Sequence, residues 1–162
     1  MASLQDFFVK IEGITGESKD SHHKDWIDAL NFSYGVSQST SSFTGGGSGV
    51  GKASFDSVSF THYVDKTTPV LFKYCAEGKH IPKVELAACK SGGGQQEYMH
   101  VTLTDVIVTH AGPTGSTSDA RITESVSLSY STIKVEVKEQ KADGSVGAAV
   151  TGAWDVKANK SI

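Results

Sequence analysis

The sequence predicts a mainly β protein of antiparallel strands with one short helix. Three observations carry that reading. Apolar and polar residues alternate along most of the chain. The period changes only once, at about residues 69–77. Between two alternating segments lies a long, nearly uncharged stretch, residues 35–52, reading GVSQSTSSFTGGGSGVGK.

The elements come in order along the chain. Phe7, Val9 and Ile11 alternate with Phe8, Lys10 and Glu12, a first strand. From Ile27 onward, Leu30, Phe32, Tyr34 and Val36 point one way and Asn31, Ser33 and Gly35 the other. Residues 53–64 form the next strand, with Val58, Phe60, His62 and Val64 on one face; Phe55 is out of phase, which predicts a bulge near Asp56. Thr68 as N-cap and Pro69 at the first helical position then open a helix over about 69–77. Leu71, Tyr74 and Cys75 share its apolar face, and Gly78 stops it.

Strands resume at residues 81–90, with Val84, Leu86 and Ala88 on one face. Residues 91–94 are a turn, and residues 97–110 alternate Met99, Val101 and Leu103 against His100, Thr102 and Thr104. Residues 111–120 read as a polar Gly/Pro loop. Residues 122–138 read as one long strand whose phase slips at Thr132 and Ile133. Asp143-Gly144 marks a turn, and residues 153–156 a last short strand. The total is seven or eight antiparallel strands and one helix. Strands with a single apolar face need a second layer or closure into a barrel.

The bulk numbers bound the function. The 162 residues favour one domain, 1–162, and no internal repeat is visible. With 38% apolar residues and a net charge of −3, the chain has no basic field for nucleic acid or an anionic membrane. No apolar run is long enough for a membrane span. The N-terminus MASLQDFFVKIEG has no basic region, apolar core and cleavage site, so it reads as cytosolic, with any export by another route. Cys75 and Cys89 read as reduced, packed thiols.

Motifs for chemistry are weak. Gly46, Gly51 and Lys52 fit most of a phosphate-binding loop, but Ala53 stands where a magnesium-binding hydroxyl belongs. The residues after Lys52 alternate as a strand, whereas phosphate capture uses a helix N-terminus. The stretch therefore reads as a Gly-rich loop. His22-His23 lacks further ligands at suitable spacing, and His62, on an apolar strand face, reads as a partnered core group. No Gly-x-Ser-x-Gly elbow exists and no activated nucleophile is identifiable, so no catalytic, metal or cofactor residue is expected. What stands out is strands with Ser, Thr and Asn outward and few charges, a hint of self-assembly.

An ordered set of residues resembles one family. Ile11-Glu12-Gly13-Ile14, Gly16-Glu17-Ser18, Asp20, His23, Ile27-Asp28, Leu30, Ser33, Gly35 and Ser37-Gln38 come first. Gly45-Gly46-Gly47, Gly51-Lys52, Ser59-Phe60-Thr61, Asp65-Lys66, Thr68-Pro69, Gly78-Lys79-His80 and Lys141-Ala142-Asp143-Gly144 come next. Together they resemble the haemolysin-coregulated protein (Hcp) family of bacterial type VI secretion systems, over the whole chain. Phe32-Ser33-Tyr34 stands where that family has a Trp-Ser-Trp-like context. The resemblance implies a two-sheet antiparallel β-barrel with one helix, similar to phage tail-tube proteins. It implies a hexameric ring that stacks into a tube, driven by a contractile sheath, tipped by a valine-glycine repeat spike protein and carrying small effectors in its lumen. It also implies residence in the cytoplasm before firing and secretion afterwards.

That architecture assigns physical roles. A lumen needs a polar, wet wall, and the non-core positions of the long strands supply it: Asn31, Ser33, His100, Thr102, Ser127 and Ser129. Ser33 is the leading cargo contact, because a small hydroxyl lets a bound protein approach closely. Ring closure and stacking need long loops reaching neighbours. Residues 37–52, with Ser41, Ser42, Phe43, Thr44, Gly45, Gly46, Gly47, Ser48 and Gly49, and residues 111–120, with Pro113 and Thr114, are the candidates. The alternatives are a free ligand- or carbohydrate-binding β-barrel and an enzyme; a molecular mass separates ring from monomer. The sequence stops at Ile162, soon after the core, so no fused toxin domain is expected.

Overall fold

The computed structural model describes residues 4–41, 49–91 and 95–162. Two antiparallel sheets enclose one core, and a single helix covers part of it. The strands are β1 (Gln5–Ile11), β2 (Ile27–Ala29), β3 (Asn31–Ser33), β4 (Val36–Ser37), β5 (Thr40–Ser41), β6 (Gly49–Val50), β7 (Ser54–Phe55) and β8 (Val58–Tyr63). Helix α1 (Thr68–Glu77) comes next. Then come β9 (Ile81–Lys90), β10 (Glu97–Thr114), β11 (Thr123–Ser129), β12 (Thr132–Gln140), β13 (Val146–Asp155) and β14 (Lys160–Ser161).

The first sheet runs β2-β1-β9-β10-β12-β13-β14, and the second runs β3-β8-β11-β10. Two segments serve both. The first part of β10 pairs with β12 through Thr104 and with β9 through Val106, and Ile107 onward pairs with β11. At Leu30 the chain leaves β2, which pairs with β1, and enters β3, which pairs with β8. The sheets thus meet at corners made by bent strands, not by a ladder between separate edges. Val9, Ile11, Leu86, Val101, Leu103 and Ile133 from the first sheet pack against Val58, Phe60, Val126 and Leu128 from the second. The two outer faces therefore point away from each other.

The β10 corner has a local cause. Asp105 adopts φ +50°, a left-handed conformation that Asp tolerates better than most residues. Its carboxylate accepts from Ser131 Oγ at 2.5 Å, Lys157 Nζ at 2.7 Å and His80 Nδ1 at 2.8 Å. Lys157, then Ser131 and His80, hold that carboxyl well below the usual range.

The helix begins one residue before the expected start. Thr67, not Thr68, is the N-cap, and Pro69 still lies in the first turn. Gly78, at φ +61°, turns left-handed at the C-terminus, and its N–H reaches Cys75 O at 3.2 Å. Leu71, fully buried, anchors α1 to the core.

Three other expectations need correction. The long strand over 122–138 is two strands, β11 and β12, in different sheets, because the chain changes sheet at Tyr130 and Ser131. The loop expected at 111–120 starts later, since residues 111–114 still pair within β10, Pro113 opposite Glu124. Pro113 is tolerated because this half of β10 is an edge, bonded to β11 alone. The short strand at 153–156 is the ten-residue β13.

Candidate functional site

The outer face of the second sheet is built mainly from hydroxyls, with exposed His110 of β10 opposite Ser127. Alternation along β3, β8 and β11 turns Phe60, Val126 and Leu128 inward and the residues between them outward. Register then sets Asn31 opposite Thr61, Ser33 opposite Ser59, Ser59 opposite Ser127 and Thr61 opposite Ser125. Ser59 Oγ and Ser127 Oγ lie 3.1 Å apart. Thr109 Oγ1 donates to Ser127 O at 3.2 Å, and Ser129 pairs with Ile107. Asn31 and Ser33 are exposed. Phe32 turns the other way, its ring 5.1 Å from that of Phe7 at 75°.

Four of the six expected lumen residues thus share one surface: Asn31, Ser33, Ser127 and Ser129. Ser59, Thr61, Ser125 and Thr109 join them; their alternation is visible in the sequence, but their pairing is not. His100 and Thr102 lie elsewhere. They sit on the outer face of the first sheet, where Thr102 pairs with Glu85 and Lys134, and His100 with Glu136. The reason is that β10 reaches the second sheet only after Val106.

That other face is ionic. His100 Nδ1 meets Glu97 Oε1, and its Nε2 lies 3.1 Å from Glu85 Oε1. The hydrogen bond with Glu97 raises the His100 imidazole above its ordinary value, against the opposing effect of burial. Burial pushes Glu97 up, but His100 holds it below the usual range. Nearby, His23, 4% exposed, stacks on Phe8 at 4.3 Å and pairs with Asp20 at 2.7 Å.

The described flanks of the Gly-rich stretch pair with each other as short ribbons, referred to below as the arm. Val36 pairs with Phe55 and Ser37 with Ser54, then Thr40 with Val50 and Ser41 with Gly49. Ser42, Phe43, Thr44, Gly45, Gly46, Gly47 and Ser48 lie outside the described residues. Lys52 is followed by strand β7 and not by a helix, so the phosphate-loop geometry is not met. Val36 is 58% exposed and Val50 is 73% exposed. Pro113 and Thr114 are exposed at the end of β10.

Where the arm leaves the body, an apolar groove of about 490 Å³ opens between it and the β12–β13 ribbon. Tyr34, Val36 and Phe55 line one side, and Val135, Ala153 and Trp154 the other. The indole Nε1 of Trp154 is buried without a hydrogen-bond partner.

Chemistry of other kinds has little support. The Cys89 thiol is buried and pushed up to about 12 by desolvation, then by Glu97, Asp20 and Asp6. A thiol so placed is a packing group and not a nucleophile. Among the described residues no group of three or more His, Cys, Asp or Glu side chains could hold a metal ion. Among them, too, no helix is long and apolar enough to cross a membrane.

The chain is a two-sheet β protein with a hydroxyl-rich outer face and an apolar groove beside the paired flanks of its Gly-rich stretch. Comparison with known proteins makes the class specific. The profile of a family described as "Type VI secretion system effector, Hcp" matches residues 8–137. Protein hcp1 of Pseudomonas aeruginosa is 43% identical over 156 residues, covering 95% of this chain and 96% of that protein. The crystal structure of Hcp1 from Salmonella typhimurium matches with TM-score 0.83 and 40% identity, over 99% of this chain and 100% of that one. A structure of a type VI secretion system effector from Yersinia pestis matches with TM-score 0.75 and 33% identity, over 93% of this chain and 100% of that one. The chain belongs to the Hcp family of type VI secretion, a family of secreted tube proteins and not of enzymes.

Proposed function

We propose that this chain is the inner-tube subunit of a type VI secretion system. Six copies close into a ring, rings stack into a tube, and the hydroxyl face lines the lumen. The observation that carries this reading is the uncharged wall of Asn31, Ser33, Ser59, Thr61, Ser125 and Ser127 on one exposed sheet. A free sheet of that size would ordinarily carry more Lys and Glu. A wet, uncharged wall holds cargo of either charge without a strong field.

Ring closure and stacking fall to the exposed apolar groups. Val36, Val50, Val150 and Ile162 are all more than half exposed and are available to be buried against neighbours. The groove between the arm and β12–β13 receives a neighbouring subunit, and the arm reaches toward the adjacent ring. The spike protein, the contractile sheath and small effectors are the further partners. The protein waits in the cytoplasm and leaves by the type VI pathway. Light scattering tests the ring: a mass of about six chains is expected, and a monomer at micromolar concentration overturns it.

A further inference from the structure

A largely buried polar cluster lies beneath the start of α1, away from the hydroxyl face and the groove. His62 points inward from β8 and is 0% exposed, its ring 5.6 Å from that of Phe60. Its Nε2 lies 2.7 Å from Oε1 of Glu124, the residue opposite it on β11, itself 1% exposed. The same Oε1 accepts from Thr68 Oγ1 at 3.1 Å. On the other side, His62 Nδ1 faces Asp65 Oδ2 at 3.5 Å and has no hydrogen-bond partner. Asp65 Oδ1 in turn accepts from Thr67 N at 2.8 Å and Thr67 Oγ1 at 2.5 Å.

This geometry sets the protonation state. A carboxylate only accepts, so Nε2 carries a hydrogen toward Glu124. A bare Nδ1 would aim its lone pair at an Asp65 oxygen from a ring that is itself fully buried. A protonated Nδ1 aims an N–H there instead. The doubly protonated ring thus joins three separate pieces: β8, β11 and the segment entering α1. We infer that His62 is a proton-dependent latch, whose protonated ring clamps the start of α1 onto the sheet and whose deprotonation loosens it.

The surrounding charges agree. Burial pushes the His62 imidazole down, but Asp65 and Glu124 together hold it above its ordinary 6.5. Burial pushes Asp65 up, but His62 and Thr67 hold it below 3.8. Glu17, from the segment before β2, binds Lys66 N at 2.7 Å, and Asp28 on β2 feels the Asp65 charge. Arg121, before β11, stacks on Tyr63 at 3.9 Å, and α1 brings no acidic side chain in its first turn. A His raised in the folded state contributes stability below pH 6.5 and loses it as pH rises through the raised value. An Asp lowered in the folded state contributes above 3.8 and loses it on acidification through the lowered value. The clamp is therefore complete between those two limits. The inference concerns one subunit and stands whether or not the ring reading does.

Ring signals of labelled histidines in the full chain, with His62→Gln identifying the resonance, read the latch directly. The His62 signal is expected to titrate above pH 6.5, and protection of the Leu71 amide against hydrogen exchange to fall through the same range. Thermal unfolding of the native chain should drop by about 5 °C across that titration, while His62→Gln keeps only the smaller drop that His100 contributes. Titration at or below pH 6.5, or an equal drop in His62→Gln, overturns the proposal. If His62→Gln does not fold, the native chain decides: Leu71 protection that stays constant through the His62 titration overturns it.

Discussion

The two outer faces of this molecule are made from the same kind of strand and carry opposite chemistry. On the first sheet, His100, Glu85, Glu97, Lys134 and Glu136 form ion pairs, such as Lys134 to Glu136 at 2.9 Å. On the second, Ser and Thr hydroxyls meet one another across strands, as Ser59 and Ser127 do. The ionic face mixes partly buried pairs around His100 with more exposed ones such as Lys134 and Glu136, and an exposed pair adds at most ~1 kcal/mol. The hydroxyl face keeps its polarity with no Asp, Glu, Lys or Arg at the outward positions of β3, β8 and β11, and with His110 beside them on β10. In a tube, only the second could serve as an indifferent wall.

Substitutions and a deletion put that contrast at risk. The largest effect is expected from deleting residues 43–49, which shortens the arm: rings or stacks should be lost in light scattering and electron microscopy. Unchanged tubes would remove the arm from assembly. Next, Val36→Asp places a charge at the groove. Because Val36 is 58% exposed, the subunit's own stability should change by only about 0.5 kcal/mol, while the ring mass falls toward that of one chain. A ring that survives this substitution assigns the groove to something else.

Smaller effects separate the faces themselves. Ser33→Glu should leave rings intact and weaken cargo retention by about tenfold, ~1.4 kcal/mol, measured by co-purification. Thr102→Glu, on the ionic face beside Glu85, should leave cargo retention within about twofold. Equal losses for the two variants would erase the distinction between the faces. The smallest shift is expected on raising pH through the elevated His100 value. Its pairing with Glu97 fades there, and stability present below pH 6.5 declines. Comparing thermal unfolding of Glu97→Gln with that of the native chain isolates the contribution.

How much of the molecule is legible in its sequence depends on the signal each region carries. Strand β9 matches the expected residues 81–90, with Val84, Leu86 and Ala88 buried on the face the sequence assigns them. The division between β11 and β12 shows only as a slip of phase, since Tyr130 and Ser131 carry no Gly or Pro to mark a reversal. Most of β13 is hidden because Gly147, Ala148, Ala149 and Gly152 have weak strand preference, and Ala149 and Gly152 gain their place by pairing with Lys138 and Val135 of β12. His62 is legible as a partnered core residue, but its partner Glu124 is 62 positions away. The hydroxyl face is legible strand by strand. Its extent depends on which strands are neighbours, and that same fact puts His100 and Thr102 on the other side. The phosphate-loop likeness fails for the reasons visible in the sequence, Ala53 and the strand after it.

Strand β10 carries a mechanical consequence. Because one unbroken backbone crosses the corner at Asp105, a force shearing one sheet past the other loads covalent bonds along that strand as well as the ladders beside it. Hydrogen bonds give way one by one, whereas a peptide chain under tension does not. A protein built to be thrust forward would gain from a strut of this kind, and Asp105, tied by Ser131, Lys157 and His80, is where the strut bends.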